Sequence, residues 1–124
     1  EPLEHAALLA PPADLLSVVT RTPIGRRYRE LARRAGAPLP PEDELRDEFR
    51  CFDPSARSPT ASRLFIATGT EDVIVPPEGP LALAAAWGTE PRLYRRGHVS
   101  LLFACRAVRR DLGRFLRGDA APAE

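Results

Sequence analysis

Apolar positions recur along this chain with two different rhythms. In the first half the spacing is helical: "RTPIGRRYRELARRAG" puts Ile24, Tyr28, Leu31 and Ala35 on one face and arginines on the other. Thr22 suits the N-cap, Pro23 the first helical position and Gly36 the stop. "PEDELRDEF" predicts a shorter helix with acids in its first turn, where the helix dipole favours them, and only Leu45 and Phe49 to bury. "APLPP" and "FDPSARSPTAS" read as loops. Residues 1–62 are therefore expected to be helical and loosely joined.

The second half is denser. "RLFIAT" (63–68) is a short apolar run suited to a strand buried on both faces. "EGPLALAAAWG" predicts a helix with Pro80 near its start and Gly88 as its stop, and "PRLYRR" (91–96) a second strand. "SLLFACRAVRRDLGRFLR" predicts one long helix with Leu101, Cys105, Val108, Leu112 and Phe115 on one face. Strand, helix, strand and helix in this order make a parallel βαβα unit over 63–117, followed by a tail at 118–124. The expected class is α/β.

Composition narrows the functions. Eighteen basic residues, all arginine, against 17 acidic ones leave a charge of +1, so no global field draws nucleic acid. Arg26, Arg27, Arg29, Arg33 and Arg34 read as a solvated helix face, with an anion patch as the alternative, and lack the interleaved aromatics that stack bases. "LALAAAW" is far short of the ~20 apolar residues a membrane span needs. Cys51 and Cys105 lack metal-type spacing, Cys105 and Trp87 read as core, and two histidines without ligand spacing predict no metal or cofactor. The lack of any Met suggests a processed chain or a fragment, and a cytoplasmic location is the expectation.

The chemistry concentrates at two strand ends. Loops at the C-terminal edge of a parallel sheet converge where ligands bind. Asp72 follows the first strand in "GTED" and His98 the second in "RRGH", with Gly69 and Gly97 expected to allow sharp turns. A carboxylate beside a histidine accepts the Nδ1 proton, fixes the tautomer and steadies the imidazolium formed when Nε2 takes a proton. For each residue a plainer role exists: Asp72 as a turn acid bonding backbone amides, His98 as a half-buried ring bonded to a carbonyl. Glu71 reads as solvated.

"GTEDVIVPPEG" followed by "GHVSLLFACRAVRRDLGRFL" resembles the last third of an α/β-hydrolase, over about residues 63–117. The resemblance implies an incomplete hydrolase fold in which Asp72 is the acid, His98 the base, and residues 1–62 a helical cap. It implies hydrolysis of a small-molecule ester, thioester or related acyl bond. The family's nucleophile sits in a Gly-x-Ser-x-Gly elbow, and none of Ser17, Ser55, Ser58, Ser62 or Ser100 has those flanking glycines. Ser100 reads as N-cap of the last helix. The nucleophile is thus expected outside this chain, which alone should be inactive. The alternative is a non-catalytic hydrolase-like module that self-associates through an exposed strand edge.

Overall fold

The computed structural model describes residues 3–119. Its sheet has three parallel strands in the order β1 (Leu3–Leu9), β2 (Ala61–Gly69) and β3 (Arg92–Tyr94). Helices α1 (Leu15–Arg21), α2 (Pro23–Arg34) and α3 (Glu42–Phe49) lie between β1 and β2. Helix α4 (Glu78–Ala86) links β2 to β3, and α5 (Arg106–Arg117) closes the chain. The α/β class holds.

Residues 3–9 differ from the expected helical first half. "LEHAALL" is an extended strand paired with β2 from Leu3↔Ala61 to Leu9↔Ala67. A short apolar run carries no period of its own, and the partner that makes it a strand lies far along the chain. Of the tail, Gly118 and Asp119 are described; 120–124 lie outside the described residues.

Strand β2 is covered on both sides, and Phe65 to Gly69 are buried in succession. Ile66 packs with Leu83 and Ala84 of α4, with Trp87 against the same cluster. Phe65 meets Phe115 of α5 at 5.5 Å between ring centroids. Near the end of β1, Ala10 packs with Leu101, Cys105 and Val108. Helices from two different stretches of sequence thus clamp the strand that leads to Asp72.

The last helix is not continuous. Ser100–Ala104 form a π-helical turn, and Cys105 at φ −84°, ψ 102° separates it from α5. Ser100 does not cap: its hydroxyl donates to the Gly97 carbonyl at 3.0 Å. The apolar spacing runs through both segments and conceals the break.

Thr22 caps α2 as expected, accepting from Gly25 N–H at 3.1 Å. The apolar face of α2 is exposed, with Ile24, Tyr28 and Leu31 each about half open to solvent. Helix α2 instead meets α1 through Gly25, where an added Cβ would stand 2.1 Å from the Val19 carbonyl oxygen.

Candidate active site

The site is built by two strand ends laced together. Beyond Gly69, Thr70 N–H donates to the Tyr94 carbonyl (2.9 Å) and Glu71 N–H to the Arg96 carbonyl (3.2 Å). These bonds hold the loop after β2 against the loop after β3. Gly69 serves this by its lack of a side chain: a Cβ there would lie 2.2 Å from the Arg96 oxygen. Neither Gly69 nor Gly97 takes a positive φ, so close approach, not an unusual turn, accounts for Gly69.

Both residues expected at the sheet edge arrive there together. His98 Nδ1 lies 2.8 Å from Asp72 Oδ2. The other oxygen, Oδ1, accepts from Ile74 N–H at 2.9 Å and Val75 N–H at 2.8 Å. The Asp72 side chain is wholly buried, while that of His98 keeps 22% of its surface. Turn acid and histidine partner, separate readings of Asp72 in the sequence, are one carboxylate with its two oxygens divided between them. The amides of Ile74 and Val75 are parts of the site that residue types could not announce; the signal was the readiness of Asp to bond amides two and three residues on.

Three amide or ring donors around the buried carboxylate fix its plane. With Nδ1 facing the acid, Nδ1 is the nitrogen that donates, and in the neutral ring the lone pair lies on Nε2. Among the described residues Nε2 has no hydrogen-bond partner, so it is free to act as a base toward a group brought to it. Glu71 is solvated as expected, in an exposed ion pair with Arg95 at 2.8 Å.

The nucleophile is a different matter. The hydroxyls of Ser17, Ser55 and Ser100 bond to Asp14, Asp53 and the Gly97 carbonyl. Among the described residues, no hydroxyl or thiol bonds to His98. Cavities of about 430, 480 and 250 Å³ lie elsewhere, and neither Asp72 nor His98 lines them. The chain neighbours of the pair, Val73 and Val99, are apolar and open, 65% and 62% exposed.

No protein-family model, curated protein or solved structure matches this chain. The geometry of the pair therefore carries the functional reading by itself.

Proposed function

We propose that Asp72 and His98 are the acid and base of an α/β-hydrolase-type acyl hydrolase whose serine nucleophile is supplied by polypeptide outside this chain. The observation that carries this is the 2.8 Å Asp72–His98 contact at the C-terminal edge of parallel strands, with the acid's second oxygen held by two amides. Asp72 keeps the Nδ1 proton in place. His98 Nε2 takes the proton of the serine hydroxyl as its oxygen attacks the acyl carbonyl of an ester or thioester. It then returns that proton to the departing alcohol or thiol. Water, activated by the same nitrogen, releases the acid and restores the serine. The free thiols of Cys51 and Cys105 support a cytoplasmic setting, and among the described residues no helix is long and apolar enough to cross a membrane.

A second reading rests on β1, whose seven residues pair with β2 on one side only among the described residues. In that reading the chain is a non-catalytic module that adds a strand from another copy.

The test is hydrolysis of p-nitrophenyl acetate by the complete reading frame that contains this chain. His98→Ala should lower kcat by a factor on the order of 10³ to 10⁶. Unchanged turnover would overturn the enzymatic reading. A concentration-dependent dimer of the 124-residue chain, without any esterase in the complete frame, would favour the second.

A further inference from the structure

At the end of the sheet away from Asp72 and His98, a groove of about 480 Å³ lies between the start of β2, the turn into β3 and the second half of α5. Three elements send arginines to it: Arg63 from β2, Arg92 from β3, and Arg110 and Arg114 from α5. Arg110 is paired with Asp111; among the described residues Arg63, Arg92 and Arg114 have no carboxylate within ion-pair distance. Of the three acids lining the groove, two are engaged: Asp111 accepts from Tyr94 Oη and from Arg110 Nε, both at 2.9 Å, and Asp119 from Arg117 Nε at 3.1 Å. Arg63 is already positioned, with Nη1 2.9 Å from His5 Nε2 and its guanidinium 5.2 Å from the centre of the Phe115 ring.

Gathering three unpaired guanidiniums costs repulsion, in a chain with 17 acidic residues at its disposal. An oxyanion removes that cost, and the planar guanidinium fork fits phosphate two bonds at a time. Phe115, packed on the buried Phe65, also lines the groove and offers an apolar surface beside the charge. Glu90, also lining it, has no partner among the described residues and opposes an anion. We propose that this groove is a binding site for a phosphate monoester with an apolar body, its phosphate held by Arg63, Arg92 and Arg114 and its body against Phe115. The site is independent of the acid–histidine pair and stands or falls separately from it.

The probe is phenyl phosphate, titrated calorimetrically into the 124-residue chain at low ionic strength. One saturable site is expected, weakened by added salt, with inorganic phosphate binding less tightly and phenol not at all. Arg92→Gln with Arg114→Gln should weaken binding by about tenfold or more, a change of 1.4 kcal/mol per decade. Arg33→Gln with Arg34→Gln, on the exposed face of α2, should leave it unchanged. Glu90→Gln should tighten it several-fold, and this variant carries the test if the double arginine variant loses its far-UV circular dichroism. No saturation below about 10 mM, an equal loss in the α2 control, or unchanged affinity in Glu90→Gln would each overturn the proposal.

Discussion

Asp72 holds His98 at 2.8 Å with Oδ2 and is itself held by backbone amides through Oδ1. The acid is therefore oriented by its own loop before the histidine meets it. This division of labour makes the two oxygens separable by mutation.

Asp72→Asn can keep Oδ1 on the Ile74 and Val75 amides, so the fold should lose only about 1 kcal/mol. The new side-chain NH₂ then faces Nδ1, which must become an acceptor, and the ring proton moves to Nε2. Imidazole ¹⁵N shifts should report the exchanged tautomer. An unchanged tautomer would show that the acid does not control His98.

Gly69→Ala drives a methyl group into the Arg96 carbonyl, a backbone atom that cannot swing away. Destabilisation of about 3 kcal/mol or more is expected, at the upper end for overpacking. The Nδ1 proton of His98 should lose its Asp72-bonded signal in the same variant, because the two loops part. Thermal melting and proton NMR would check both halves of the expectation.

Gly25→Ala is the contrasting case. Its methyl would meet the carbonyl oxygens of Val19 and Val18 at 2.1 and 2.4 Å, prising α2 from α1. A loss of about 2–3 kcal/mol is expected from the clash. The Asp72–His98 signal should survive in whatever fraction remains folded, since both residues lie beyond β2.

Tyr94 and Asp111 make stability depend on pH at both ends. Burial, with the hydrogen bond to Asp111, pushes the Tyr94 phenol above its ordinary value of 10.0. A raised folded value means stability is full below 10.0 and is lost as pH climbs above it, because the unfolded chain ionises first. For Asp111, burial favours the neutral acid, but hydrogen bonds from Arg110 and Tyr94 outweigh it and set the carboxyl below its usual 3.8. That contribution is present above 3.8 and fades as pH falls through the lower folded value. Tyr94→Phe should cost about 1–2 kcal/mol at neutral pH and flatten the alkaline limb of a denaturation series. An identical alkaline limb in the variant would contradict this.

The acid–histidine pair was legible because its cues are local. Gly-x-x-Asp and Gly-His each end a run of strand-forming residues, and a parallel sheet brings consecutive strand ends to one edge. What escaped was set by distant partners. "LEHAALL" is a strand only because residues 61–67 lie beside it. The amphipathic pattern of α2 foretold a helix but not its environment, since Ile24, Tyr28 and Leu31 have no surface to cover them among the described residues. The break at Cys105 escaped because the buried positions on either side, Leu101 and Val108, keep a spacing close enough to helical to mask it.

The register of the sheet also orders events in time. Strand β2 meets β3 across the single helix α4, whereas His5 reaches Arg63 over 58 residues and three intervening helices. Chain closure over the longer span is entropically dearer by about 0.6 kcal/mol for each doubling, and contacts of high sequence separation slow folding. The parallel β2–α4–β3 unit should form first and bring Asp72 to His98, with β1 docking last as the rate-limiting event. Mutations in β1 would then alter how fast the protein folds, while the reactive pair is already assembled in the species that awaits that strand.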